Sequence, residues 1–248
     1  MLGLGAGLIL PPVIGGSYNN LYSLSANSSS AGGFLTGSPM QALFRDSWTF
    51  SGWFKFLDGQ TNPPNGIFGA KEDNNNIIAC TTSKNNSQIY VSFKGNGDQH
   101  MTMLDGNSWG NGATGWNHVA VTCVKSGTVT ITIYVNGSTP AQTTSSTITP
   151  SNMAAFTNTN NVCVGGMNTG SGMEEGLRGY IDEVAFFDSA LNHLQITDLY
   201  NSGVPTDLTS LSPVHWYHFN GQSAEDFGSG GNDGNAPEEG TYQTDIPS

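Results

Sequence analysis

Residues 116–137 read WNHVAVTCVKSGTVTITIYVNG. Two apolar, β-branched runs flank VKSGTV, which reads as a hairpin turn. Asn136-Gly137 then supplies the strongest short hairpin signal in the chain, because both central residues of a type I′ turn need φ > 0. Upstream, SWTFSGWFKF (47–56) alternates aromatic or apolar residues with small or polar ones, the period-two mark of a strand. LYSLSAN and GGFLTG lie around the polar turn SSSAGG. TNPPNG is a turn by its Pro and Gly chemistry, and GIFGAK, NIIACTTS and QIYVSFKGNG follow as strands. DGNSWGNGATG (105–115) is too rich in Gly and Asn to be regular and is expected as an exposed loop. Downstream, STITPS, NVCVGG and PVHWYHFN continue the strand pattern. One helix interrupts it in LNHLQITDLYNSG. Asn192 and Gln195 can form a capping box there, Leu194, Thr197 and Leu199 mark a face, and Gly203 suits a left-handed C-terminal position.

So many short strands at regular spacing predict an all-β protein: a two-sheet antiparallel β-sandwich with one short helix and extended terminal arms. At 248 residues such a sandwich forms one domain with a large core. The expected organisation is a Gly-rich apolar N-terminal arm over 1–17, the sandwich over 18–220, and an extended acidic Gly/Asn-rich tail over 221–248. Composition agrees, with 33 Gly, 12 Phe, 8 Tyr and 5 Trp.

Charge narrows the partners. Nineteen acidic against seven basic residues give −12, a field that repels phosphate backbones, and no basic cluster overrides it. Nucleic acid is excluded as an expected partner. Cys80, Cys123 and Cys163 each sit singly in a strand-like run, with no metal or redox spacing, and read as buried thiols. The opening MLGLGAGLILPPVIGGSYNN resembles a signal peptide only in its apolarity, and it is too short and Gly-rich for a membrane span. Leu2, Leu4, Leu8, Ile9, Leu10, Val13 and Ile14 are its candidate assembly contacts, made to the body of the chain or to a neighbouring subunit.

These segments resemble the laminin-G-like, concanavalin A-like lectin/glucanase jelly roll across residues 18–203. The carriers are YSLSANSSSAGGFL, SWTFSGWFKF, GWNHVAVTCVKSGTVTITIYVNG, VCVGG and LRGYIDEVAFFDSALNHLQITDLYNSG, in the family's order. HWYHFNGQSAEDFGSGGNDGN is similar to a strand and turn that in this family often precedes the jelly roll; here it follows. That arrangement resembles jelly-roll proteins of marine tailed phages. The resemblance implies a virion structural or accessory protein, a capsid-decorating or fibre-type subunit. Its expected partners are other virion proteins or copies of itself, and surface polysaccharide. The location implied is the virion surface if phage-encoded, otherwise extracellular.

Asp182 and Glu183 sit inside the apolar run LRGYIDEVAFF. Retaining glycosidases need two carboxyls about 5–5.5 Å apart, whereas neighbours on a regular strand point to opposite faces. Glu72/Asp73 and Glu174/Glu175 are again neighbours, and His118, His193, His215 and His218 accompany no nucleophile signature. A catalytic dyad is therefore not expected. Two readings of the pair stay open. It is a hydrogen-bonded brace at the strand-to-helix corner, or, as the resemblance implies, Asp182 helps hold Ca2+ with backbone carbonyls.

Trp48, Trp53, Trp116 and Trp216 fall in strand patterns and are expected in the core. Trp109 lies in the 105–115 loop, where with Asp105, Asn107 and Asn111 it could stack on a sugar ring; a fold-back loop anchor is the competing reading. Three functions are thus in play: a non-catalytic virion subunit, a free carbohydrate-binding lectin module, and a glycoside hydrolase, the last opposed by the placement of the acids.

Overall fold

The computed structural model describes residues 18–26, 33–57, 65–83, 88–104, 115–235 and 241–248. The candidate assembly contacts Leu2 to Ile14 and the candidate sugar contacts Asp105, Asn107, Trp109 and Asn111 lie outside these described residues.

The strands are β1 (Ser23–Ala26), β2 (Phe34–Pro39), β3 (Trp48–Phe56), β4 (Asn65–Lys71), β5 (Ile77–Ser83), β6 (Gln88–Gly95), β7 (Asp98–Leu104) and β8 (Asn117–Lys125). They continue as β9 (Val129–Val135), β10 (Gln142–Ser146), β11 (Asn161–Val164), β12 (Met167–Asn168), β13 (Met173–Glu174), β14 (Gly179–Phe187), β15 (His215–Tyr217) and β16 (Thr241–Gln243). Among the described residues three short α-helices punctuate them: α1 (Gln41–Phe44), α2 (Pro150–Ala154) and α3 (His193–Tyr200).

Two sheets form the sandwich. The first runs β16-β1-β14-β3-β8-β9, with β15 also paired to β14; the second runs β10-β7-β6-β5-β4-β11-β2, with β12 and β13 at its side. Among the described residues pairing is antiparallel apart from one parallel contact, Asn168 to Ala70. The hairpin at VKSGTV joins β8 to β9 with Lys125 opposite Val129. Asn136 and Gly137 take φ 50° and 73° in a tight turn, closed by the Val135–Ser138 bridge.

The core between the sheets is aromatic. Phe50 meets Phe68 at 4.3 Å between ring centroids and Phe186 at 5.2 Å, and Trp48 and Phe44 close the cluster. Each fully buried side chain of this size contributes about 1.5–3 kcal/mol. Cys80, Cys123 and Cys163 are free and buried.

The two sheets differ on their outer faces. β6 alternates between buried and half-buried residues along QIYVSFKG, because the outer face of the second sheet meets water. β3 is buried at nearly every position, because the outer face of the first sheet is covered by α3 and the segments after it. Ala120, Tyr134, Ala185, Phe187, Ile196, Leu199, Leu208 and Trp216 make this second, smaller core. It sets which face of α3 is buried: Ile196 and Leu199 point inward while Leu194 is 73% exposed. The capping box of Asn192 and Gln195 is present, and Asn201 (φ 42°), not Gly203, takes the left-handed position that ends the helix.

The segment 221–248, expected as an extended surface tail, is instead built into the fold where it is described. β16 adds a strand to the edge of the first sheet against β1. Asp226 accepts hydrogen bonds from the backbone N–H groups of Trp216, Gly228 and Asn232, each at 2.9 Å. Its other contact is His215 Nδ1 at 2.7 Å. A carboxylate served by this many donors is held below its usual range despite its burial.

Candidate functional site

The outer face of the first sheet carries two features of interest, a cleft and the acid pair. They are built from neighbouring rungs. Asp182 of β14, Trp53 of β3 and His118 of β8 lie side by side in one rung. Two residues along, Tyr180 and Lys55 are paired in the next.

The cleft has a volume of about 500 Å³, within the roughly 300–1,000 Å³ typical of small-molecule sites. Trp53, Tyr200 and Trp116 form its aromatic walls, and Lys55, Asn136 and Asp245 supply its polar groups. Each is placed by a recognisable local cause. Tyr200 ends α3 and stacks on Trp53 at 5.8 Å, and its ring also lies over the Asn136-Gly137 turn. A Cβ added at Gly137 would come within 2.9 Å of Tyr200 Cδ1, so glycine is required for space as well as for its positive φ. Asn136 is fixed by its own amide: its Oδ1 accepts from His118 N–H at 2.9 Å and its Nδ2 donates to Asn117 at 3.0 Å. His118, under the floor, pairs through Nε2 with Ser51 Oγ at 2.8 Å. Burial holds His118 down at about 3, so it is neutral at ordinary pH. The last wall comes from the C-terminal segment. Asp245 accepts from Lys55 Nζ at 2.6 Å and from Trp116 Nε1 at 2.9 Å.

The acid pair departs from strand geometry. The β14–β3 register slips between Asp182 and Ala185, and Glu183 has φ 49°. This is a bulge, with one extra residue on β14. The sequence-based expectation that neighbouring carboxylates face opposite ways is thereby overturned. Ile181, Val184 and Phe186 all point into the core between the sheets, while Asp182 and Glu183 both reach the outer layer. The bulge falls where β14 changes partner, from β1 at Gly179–Ile181 to β15 at Val184–Phe186. Asp182 accepts from the Glu183 backbone N–H at 2.9 Å and from Asn20 Nδ2 at 2.8 Å. Glu183 accepts from Trp216 Nε1 at 2.9 Å and from the Tyr18 hydroxyl.

Both carboxyls are buried, at 0% and 3% exposure. Burial and the adjacent Glu183 hold Asp182 well above the ordinary carboxylate range. Burial pushes Glu183 up to about 8, against the opposing hydrogen bonds from Tyr18 and Trp216. Around Asp182, then, the structure places hydrogen-bond donors, and among the described residues no group of three His, Cys, Asp or Glu side chains could hold a metal ion. The geometry is that of a brace tying β14, β15 and residues 18–20 together.

The cleft was legible in the sequence only in pieces. Trp48, Trp53 and Trp216 are buried as expected, but Trp53 and Trp216 serve the outer layer rather than the space between the sheets. Trp116, also expected in the core, is half-buried and forms a wall of the cleft. Trp53 and Lys55, two apart on β3, carried the one usable signal: with a period of two they share a face. Tyr200 and Asp245 had none, since a helix end and a C-terminal segment converge there only through the tertiary fold.

A family model described as the concanavalin A-like lectin/glucanases superfamily matches residues 28–197. No curated protein sequence matches the chain. Among solved structures it is similar to a protein from Bacteroides ovatus ATCC 8483 described as carbohydrate-binding. Identity there is 18% and the TM-score 0.61, over 92% of this chain and 62% of that one. It is also similar to the CBM40 of the Ruminococcus gnavus IT-sialidase, solved with α2,3-sialyllactose, at 13% identity and TM-score 0.58, over 74% of this chain and 100% of that one. The NanB sialidase of Streptococcus pneumoniae matches at 21% identity and TM-score 0.52, over 70% of this chain and 28% of that one. The chain thus spans less than two thirds of the length of the Bacteroides ovatus and NanB chains. At these identities the likeness establishes the fold.

Proposed function

The chain belongs to the concanavalin A-like lectin/glucanase superfamily, and from that premise we propose that it binds carbohydrate in the cleft walled by Trp53, Trp116 and Tyr200 without catalysing its hydrolysis. The cleft itself carries the reading. Sugar recognition wants aromatic faces for the C–H side of a ring and a few fixed polar groups for hydroxyls. Trp116 and Tyr200 offer the former, and Lys55 and Asn136 the latter, with Asp245 beside them. The sialyllactose bound by the Ruminococcus gnavus CBM40 is of the same class.

A non-catalytic role is supported by the acids. Glycoside hydrolysis uses two carboxyls flanking the scissile bond, and the cleft's one acidic side chain, Asp245, is tied to Lys55 and Trp116. Asp182 and Glu183 are buried, Asp182 on Asn20 and Glu183 on Tyr18 and Trp216.

Glycan-array screening followed by calorimetry with Trp116→Ala and Tyr200→Ala tests the proposal. Each substitution is expected to weaken binding about tenfold, or roughly 1.4 kcal/mol, with no release of reducing ends by the wild type. Unchanged affinity in both variants would move the site elsewhere. The assembly role of the arm over 1–17 is a separate reading that rests outside the described residues. Deletion of residues 1–16 with association unchanged would remove it.

A further inference from the structure

We infer that the cleft selects a carboxylate-bearing sugar, whose carboxylate replaces that of Asp245 on Lys55 and Trp116; this rests on the carbohydrate-binding reading above. Asp245 marks the position. Its Oδ2 takes Lys55 Nζ at 2.6 Å and its Oδ1 takes Trp116 Nε1 at 2.9 Å. Two unlike donors, a cation and an indole N–H, thus serve the two oxygens of one carboxylate. This is a planar, two-point reading of that group.

Both donors also have a contact other than Asp245. Lys55 Nζ lies 5.8 Å from the centroid of the Tyr180 ring, and Trp116 is tilted against the same ring at 6.3 Å. Tyr180 is thus a contact that both would keep when the acid is withdrawn. Lys55 is also the one basic side chain lining the cleft among the described residues, on a protein with only seven Lys and Arg. With the acid withdrawn, it would face the cleft uncompensated.

Asp245 is the more replaceable partner. Its side chain is 40% exposed and that of Lys55 21%. Ion pairs this open to solvent contribute little to stability. The segment carrying Asp245 is attached through β16, three residues long at the sheet edge, and through Ser23 Oγ donating to the Asp245 carbonyl at 2.6 Å. A carboxylated sugar brings the same group together with ring contacts to Trp116 and Tyr200, which Asp245 lacks. Asp245 thus acts as an internal competitor: it neutralises Lys55 in the absence of ligand and raises the threshold for neutral sugars.

The test compares sialyllactose, a trigalacturonate and lactose by calorimetry on the full chain, as wild type, Asp245→Asn, Lys55→Met and Trp116→Phe. The two acidic probes separate a sialic from a uronic source of the carboxylate. At least one is expected to bind tenfold or more tighter than lactose. Asp245→Asn should strengthen that binding several-fold. Lys55→Met should weaken it at least tenfold and lactose binding by a clearly smaller factor, and Trp116→Phe, which keeps a ring, should weaken acid binding less than Lys55→Met does. In wild-type protein the Trp116 indole N–H resonance should move with the acidic probe and not with lactose, a readout independent of any variant's folding. Lactose binding as tightly as both acids, or Asp245→Asn leaving acid binding unchanged or weaker in a folded protein, overturns the inference and leaves the carbohydrate reading standing. Absence of binding to any glycan, acidic or neutral, overturns both.

Discussion

The backbone N–H of Glu183 is held by the carboxylate of its own chain neighbour, Asp182, at 2.9 Å. The bulge makes this contact possible and also necessary. Between the β1 and β15 pairings, β14 has no ladder partner for that N–H, and an unmatched buried donor costs about 1–3 kcal/mol. Glu183 in turn carries a left-handed φ of 49°, and it is fixed there by Trp216 and Tyr18.

Removing the brace should be expensive. Asp182→Ala strands the Glu183 N–H and Asn20, and a loss of about 2–4 kcal/mol is expected by denaturant titration. Asp182→Asn, which keeps an acceptor, should cost less. Since the donors here are protein N–H groups, EDTA should leave the melting temperature of the wild type unchanged; a fall would assign the site to a cation instead.

Stability should also depend on pH through Glu183. Its folded value is raised to about 8 from 4.5, so the native state binds the extra proton. The stabilisation is complete below pH 4.5 and is lost progressively as pH rises to about 8, beyond which this group contributes no further slope. Asp182, raised also, adds in the same direction. Thermal melts of Glu183→Gln should show a shallower decline than wild type between pH 5 and pH 8, the window in which Glu183 would otherwise titrate.

Gly137→Ala is predicted to harm both fold and site. Its Cβ would meet Tyr200 at 2.9 Å on a backbone with φ 73°. A cost of about 1–3 kcal/mol is expected, with weakened glycan binding as Tyr200 is pushed off Trp53. A melt and a titration on the same sample would check both.

The thiols should be silent in the native state. Burial raises Cys123 and Cys163 to about 12 and Cys80 further still. Ellman's reagent should titrate none of them until denaturant is added, when three should react.

Strand periodicity, the Asn136-Gly137 turn and the Asn192–Gln195 capping box were all determined by the sequence itself, because each depends on residues a few positions apart. The aromatic centre of the sandwich followed from the same periodicity. The outer layer did not. Whether a strand's second face meets water or a helix depends on where α3 lands, so Trp53 and Trp216 looked like ordinary core residues. Bulge geometry was equally hidden, since Asp182 and Glu183 share a face only through the extra residue that β14 carries where it exchanges β1 for β15. The cleft joins Lys55, Trp116, Tyr200 and Asp245, up to 190 positions apart. No local rule links residues at that separation; only the packing of a C-terminal segment against the first sheet brings them to one cleft.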